Sequence, residues 1–418
     1  MSRFCTLLIL LLATLPATAA DWPQWLGRGR DGSSSETVAP WKEPPRLLWS
    51  KPVGEGNSSP VVAGGRAFLH TKVKDKFAEK VTAYDAATGK VLWETVYERG
   101  NFQSPYGNGP RATPSVVDGK VYTHGITGML TCLDADTGTK VWQVDTWKDF
   151  KPPRLMFGAS CSPLVGRKVG VLMVGGKGTG VIAFDTSKGE IVWKALDDGP
   201  SYSSPIAFGK SPERQIVFLT RDGLVSLKSA DGTVWWRFPF RDLLLESSIT
   251  PMSMGDLLVA SSITQGSIGL RLENKENHPA AALLWKNPAL TSYFSTPVAV
   301  GKEHFYMVTG TNPLSALNPL AKKKSEATLN CVEAATGKVL WRRLGVGQYH
   351  ASLLRTGDNK LLMLEEAGDL VLLSPDPKEY RELARAKVCG HSWAHPALAD
   401  GRLFLRDDKK LYCLQMTK

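Results

Sequence analysis

The chain has 418 residues and a formal net charge of +11, from 51 Lys and Arg against 40 Asp and Glu. Its length could hold two or three ordinary domains, but no linker or break in composition follows residue 46, which excludes a multidomain organisation. The positive charge is spread out, with no basic run longer than Lys322-Lys323-Lys324, so it reads either as a mixed solvated surface or as a preference for acidic polysaccharide, lipid headgroups or acidic partners.

The amino terminus reads as a secretory signal: Arg3, an apolar run Phe4–Leu15, and the small-residue cleavage site Ala17-Thr18-Ala19. That run is too short for a permanent bilayer anchor. No Cys stands at the expected mature start, so a bacterial lipid anchor is not expected either. A periplasmic or secreted location follows, and in that compartment nucleic acid is not an expected partner.

A leader at 21–45 comes next, and Arg46–Val53 reads as a strand carrying Trp49. From residue 59 the chain repeats. Each unit opens on a Ser/Thr-Pro step: Ser59-Pro60, Thr113-Pro114, Ser162-Pro163, Ser204-Pro205, Thr250-Pro251 and Thr296-Pro297. Ala351-Ser352 and His395-Pro396 hold the same place in the last two units. A strand, a Gly-containing turn and a second strand follow each step.

Each unit then carries a hairpin of the form A-Y-D-A-A-T-G-K-V-L-W (Ala83–Trp93), with copies ending at Trp142, Trp193 and Trp341 and a weaker one ending at Trp236. The Asp bonds its own backbone two residues on, and Gly supplies the positive φ of the turn. A Trp that buries roughly 200 Å² once per repeat suits the seam between two sheets. Trp49, Trp93, Trp142, Trp193, Trp236, Trp285 and Trp341 are therefore assigned to blade docking.

Four short strands per unit and eight units give an all-β, eight-bladed β-propeller of four-stranded antiparallel blades. The last unit, His395–Lys418, has only three strands, and Arg46–Val53 supplies its fourth, which closes the ring and removes an exposed edge. The expected organisation is a signal at 1–20, a leader at 21–45 and a propeller at 46–418, as a monomer. Two units depart from the pattern: the hairpin before Trp285 is stretched by L-E-N-K-E-N-H-P, and Leu370–Lys387 has no Trp. Drift, or a surface freed for another use, would account for either.

Other chemistry finds little support. Cys132, Cys331 and Cys413 occupy equivalent positions in different units, too far apart to pair, and Cys161 and Cys389 are read with them as small buried residues. The Gly175–Gly180 run lacks the Ser/Thr of a phosphate loop and reads as a hairpin turn. His391 and His395 lie about 13 Å apart on an extended strand, too far for one Zn²⁺, so no metal site is assigned.

The A-x-D-x-x-T-G-K-x-x-W hairpin resembles the tryptophan-docking repeat of pyrroloquinoline-quinone (PQQ) dehydrogenases and covers nearly all of the chain after residue 46. The same repeat occurs in the non-catalytic propeller lipoprotein of the bacterial outer-membrane assembly machinery. The stretch D-W-P-Q-W-L-G-R-G-R-D-G is similar to a leader of exported quinone-repeat propellers. For an enzyme, the resemblance implies a quinone on the axis, a Ca²⁺ held by carboxylate and amide oxygens, an Asp base and usually adjacent cysteines. This chain has no Cys-Cys pair and no C-x-x-C-H, and the family's catalytic residues have no matching positions. PQQ with calcium is retained as the cofactor of the alternative reading, an oxidoreductase acting on an alcohol or sugar. The primary expectation is a non-catalytic envelope scaffold that binds a protein, a glycan or a small planar ligand.

The residues between repeats point to where binding would occur. The segments that enter the innermost strands converge on the axis, and they are aromatic and cationic: Tyr106, Arg111, Arg154, Phe157, Tyr202, Tyr293, Phe294, Tyr349, His350, Trp393 and His395. Glu246 is the first acidic candidate there and Glu365-Glu366 the second. Such a set either stacks on a planar ligand or sugar and clamps a carboxylate, or plugs the channel as packing. The longer segments Lys72–Lys80 and Asn312–Glu326 are expected to rise on the same face.

Overall fold

The computed structural model describes residues 21–209, 214–276, 278–310 and 326–417. The signal assigned to 1–20 and nearly all of Asn312–Glu326 lie outside them. Among the described residues, 32 strands form eight four-stranded antiparallel sheets, with one short helix, Thr146–Phe150. Blades 1 to 7 span 61–98, 115–145, 164–195, 206–239, 252–287, 298–347 and 351–387. Blade 8 combines the three strands of 397–415 with Arg46–Pro52. That strand pairs antiparallel with Lys410–Gln415, placing Trp49 opposite Cys413, so the ring closes through its amino-terminal strand.

First strands of successive blades lie side by side around the axis, and the Ser/Thr-Pro step explains how they are tied. Its hydroxyl accepts from the equivalent backbone N–H of the preceding blade: Ser59 to Thr113 (3.2 Å), Thr113 to Ser162 (2.9 Å), Ser162 to Ser204 (2.9 Å), Thr250 to Thr296 (3.2 Å) and His395 to Ser59 (2.9 Å). The Pro that follows has no N–H and so needs no acceptor. A β-sheet cannot pair across blades here, and this belt satisfies groups that would otherwise be orphaned in the core.

At the rim, each motif Asp folds its turn by accepting from the amides two and three residues on, as Asp85 does from Ala87 (3.1 Å) and Thr88 (2.8 Å). The small residue that opens the motif stands directly across from the Trp: Ala83 opposite Trp93, Cys132 opposite Trp142, Ala183 opposite Trp193 and Cys331 opposite Trp341. A bulge follows each of these pairs and turns the indole toward the next blade. There the ring lies on the turn glycine: an added Cβ at Gly138 would stand 2.5 Å from the Trp93 ring. Gly89, Gly189, Gly232 and Gly337 cradle Trp49, Trp142, Trp193 and Trp285 in the same way.

The two irregular blades alter this seam locally. Blade 5 extends its outer hairpin into the ten-residue strands Gly266–Lys275 and His278–Asn287 and offers no cradle, so Trp236 donates to Gln215 Oε1 of its own blade (3.0 Å). In blade 7 the S-P-D-P turn presents the Asp376 carbonyl to Trp341 Nε1 (2.8 Å), and Tyr380 meets that indole edge-on. Lys72–Lys80 is a shorter feature than the sequence suggests: both strands run on, Arg66–Lys72 and Ala78–Asp85, and only 73–77 forms the loop.

The leader is part of this core. Its Trp22 bridges Val62 of blade 1, the Pro23 carbonyl accepts from Val116 of blade 2, and Trp25 Nε1 donates to Thr250 Oγ1 of blade 5 (2.8 Å). Arg30 reaches the Ser162 carbonyl of blade 3, and Ser33 bridges Arg355 of blade 7. Glu36 then meets Gly357 and Gly401 at the turns of blades 7 and 8. The segment thus fills the axial channel from the face that carries the hairpin turns. The opposite face, where the chain crosses from blade to blade, is the loop face.

Candidate functional site at the loop-face mouth of the axis

The blade-crossing loops bring most of the expected aromatic residues together. Tyr202 lies 5.3 Å from Phe157, Phe157 5.6 Å from Tyr106, Tyr106 6.2 Å from Trp393, Trp393 5.6 Å from Phe294, and Phe294 5.1 Å from Tyr293, ring centre to ring centre. The two ends of this arc face Glu246. Its Oε2 accepts from Tyr293 Oη at 2.5 Å, and its loop is held by Asp242 Oδ1, which accepts from the amides of Leu244 and Glu246. Burial pushes the Glu246 carboxyl up, partly offset by the Tyr293 hydroxyl.

Arg111 belongs to the wall. Its Nε donates to the Phe157 carbonyl (2.8 Å), its Nη2 to the carbonyls of Tyr106 and Gly107, and its guanidinium lies 5.7 Å from the Phe157 ring centre. Burial lowers its pKa. Tyr202 Oη accepts from the Phe157 amide at 3.2 Å, which pins the same loop.

Glu366 organises the far wall. One oxygen accepts from the amides of Gln348 (2.6 Å), Tyr349 (2.7 Å) and His350 (3.3 Å), and the other from Trp393 Nε1 (2.7 Å) and His391 (3.3 Å). Burial raises its pKa, but the Tyr349 amide, the Trp393 indole and the Gln348 amide outweigh that and hold it below the usual range. Tyr349 therefore enters the site through its backbone.

Three expected residues stand apart from the arc. His350 lies buried behind it, stacked on Phe294 at 4.9 Å between the hydroxyls of Ser295 (2.7 Å) and Ser352 (3.0 Å), and burial drops its pKa to about 3. His395 faces the leader, with its ring 5.9 Å from Trp22 and 5.8 Å from Trp25. Arg154 covers the Trp147 ring at 5.0 Å and borders an outer cleft with Asn101, Phe102 and Met156. Trp22, Trp25 and Arg30 carry no site expectation from the sequence. The density of Trp and Gly in W-P-Q-W-L-G-R-G was the available signal, since bulky and turn-forming residues in a leader imply burial.

Comparison with known proteins places this geometry. A family model described as outer membrane protein assembly factor BamB matches residues 32–104 and 78–242, together just over half of the chain. The chain belongs to the PQQ-like propeller family. Its similarity to BamB of Burkholderia pseudomallei is 26% identity over 236 residues, 55% of each chain. The alcohol dehydrogenase (quinone) subunit of Gluconacetobacter polyoxogenes is 29% identical over 180 residues, 37% of this chain and 22% of that one. The chain spans between 24% and 64% of the length of the first BamB relatives it matches.

Two solved structures share the fold. BamB from Moraxella catarrhalis superposes with a TM-score of 0.60 at 15% identity, covering 88% of this chain and 97% of that one. Quinohemoprotein alcohol dehydrogenase from Comamonas testosteroni gives 0.65 at 15%, covering 96% and 81%. As a member of the PQQ-like family the chain can be tested for a quinone and calcium site. The arc could face a planar ring, but the oxygen donors do not fit a calcium cage. Glu366 is saturated by protein donors, and Glu365 is held by Arg385 through two bonds (2.8 and 3.0 Å). Glu246 is held by Tyr293, and its neighbour Asp242 is committed to the Leu244 and Glu246 amides and to Ser262 and Thr264. Among the described residues no group of three or more His, Cys, Asp or Glu could hold a metal ion, and no helix is long and apolar enough to cross a membrane. The five described cysteines are free and buried; burial pushes the Cys132 thiol up to about 12 and the Cys161 thiol up to about 11, which makes them unreactive.

Proposed function

We propose that this chain is an exported, non-catalytic scaffold propeller of the cell envelope, which binds a protein or glycan partner through its loop face. The observation that carries this reading is a one-sided surface. Among the described residues, the large apolar side chains exposed outside strands are Phe77, Tyr106, Met156 and Leu243, 53–67% accessible, and all four sit on loops of that face. The turn face opposite is closed by the leader and edged by polar Asp-Thr-Gly turns. Apolar side chains grouped on loops of a rigid ring suit recognition. The similarity to BamB, whose name gives it as an outer membrane assembly factor, supports an envelope protein as the partner. The committed carboxylates of the mouth argue against an oxidoreductase. The signal at 1–20, export and a monomeric state belong to the same proposal.

Photo-crosslinking in the living cell tests it. A crosslinker at Tyr106, Met156 or Leu243 should capture an envelope protein or glycan, while one at Lys188 or Lys338 on the turn face should not. Calcium-dependent binding of PQQ by the purified protein, with alcohol-driven dye reduction, would overturn the proposal in favour of the quinoprotein alternative.

A further inference from the structure

Among the described residues three arginines are buried, and Arg30 alone has no carboxylate beside it. Arg99 lies 3.8 Å from Glu79, which also bonds Tyr97 and the Ile126 amide. Arg406 donates to the carbonyls of Asp407 and Gly54 and is stabilised by the carboxylates of Asp407 and Asp408. Arg30 is 3% accessible and donates from Nη2 to the Ser162 carbonyl (3.0 Å), but its Nε and Nη1 meet no acceptor. Among the described residues no carboxylate lies within ion-pairing distance of it.

Its position is as notable as its isolation. The leader carries Arg30 to the belt of first strands, where Ser162 already receives the Thr113 amide on its hydroxyl and donates its own amide to Ser204. Arg30 itself takes a left-handed backbone (φ 55°), and its amide donates to the Gly27 carbonyl, so a tight turn presents the side chain inward. A buried guanidinium without a counter-charge is strongly unfavourable, because burial strips its water and nothing replaces the lost charge–dipole energy. Burial lowers its pKa to about 10, so it stays cationic at neutral pH.

We infer that Arg30 is the centre of an anion site where the leader meets the hydroxyl belt of the axial channel, and that it takes a small oxyanion, a carboxylate or a tetrahedral phosphate or sulfate. Each two-donor edge of the planar fork pairs Nη2 with either Nε or Nη1; Nη2 spends one N–H on Ser162, so the other edge keeps two free N–H groups at the spacing of two oxygens, and such pairs bind more strongly than single contacts. Bound there, the anion links the leader to the ring, so its occupancy reads out as stability of the plugged propeller. The inference stands whatever partner the loop face takes.

The test uses the full chain at constant ionic strength held with sodium fluoride. Sodium sulfate and sodium acetate are titrated separately, and melting is followed by tryptophan fluorescence. A saturable rise with either salt, lost in Arg30→Met, supports the site, and the salt that acts identifies tetrahedral or carboxylate chemistry. A rise that is linear in salt, or equal in wild type and Arg30→Met, reflects general screening of a +11 surface and overturns it. Should Arg30→Met fail to fold, crystals soaked in sodium bromide decide: an anomalous peak beside Arg30 Nε or Nη1 supports the site, and its absence overturns it.

Discussion

At the rim, Trp49, Trp93, Trp142 and Trp285 each donate to the carbonyl one residue past the motif's acidic position in the following blade, and Trp341 makes the same kind of bond to the Asp376 carbonyl. At the loop-face mouth no contact recurs: Glu366 gathers three amides and two side chains, while Glu246 has a single tyrosine. The rim is built by repetition and the mouth by exception. Repetition distributes stability, so each seam supports only its neighbours. The exceptions sit where eight segments converge and no two are alike, which is where a partner can be told from a non-partner.

Removing the closing strand is expected to break the rim most severely. Deleting Arg46–Pro52 strips the last blade of its paired edge and of Trp49, which donates to the Ala86 carbonyl and covers Gly89. Loss of one buried Trp alone costs about 3–5 kcal/mol, and the open edge adds to it. The melting temperature should fall by at least about 4 °C in calorimetry; an unchanged melt would reject closure through this strand.

A smaller contrast isolates the cradle. Gly138 and Gly255 both have positive φ (72° and 61°), but a Cβ at Gly255 meets nothing within 4 Å, whereas one at Gly138 strikes the Trp93 ring. Gly255→Ala should cost only the left-handed penalty, about 1–2 kcal/mol. Gly138→Ala should add overpacking of about 1–3 kcal/mol. Equal losses in urea unfolding would show that the glycine is kept for its turn and not for the indole.

The same division decides what the sequence could reveal. Eight blades, the closing strand and the rim tryptophans are legible because each physical requirement is restated in every unit, so period and spacing expose it. The arc of Tyr106, Phe157, Tyr202, Tyr293, Phe294 and Trp393 was within reach because propeller topology brings the segments before first strands to the axis. The hydroxyl belt was visible as a Ser/Thr-Pro step, but its meaning needed the neighbouring blade. His395 and Arg154 could not be placed, since whether a residue near the axis faces the mouth, the leader or an outer cleft depends on contacts made once only. The leader was opaque for the same reason: a segment of 25 residues that touches six or more blades has no period.

The two carboxylates of the mouth offer the finest test, because their shifts have opposite sign. Glu366 is held below its unfolded value, so the folded state binds fewer protons than the unfolded one as pH falls into the carboxylate range. Its stabilisation is complete above the unfolded pKa near 4.3 and is lost as pH drops through the depressed folded value. Glu246 is raised by burial, so the folded state holds its proton longer, and stability declines as pH rises from the unfolded pKa through the elevated folded value. At neutral pH Glu366→Gln should lose about 1.5–3 kcal/mol, since a neutral amide cannot serve the same donors. That deficit should shrink on acidification. Glu246→Gln keeps an acceptor for Tyr293 and removes a buried charge, so it should be neutral or slightly stabilising at pH 7, with its advantage vanishing at low pH. Unfolding curves of both variants between pH 3 and 7 should therefore diverge from wild type in opposite directions, and parallel curves would show that the mouth does not distinguish its two acids.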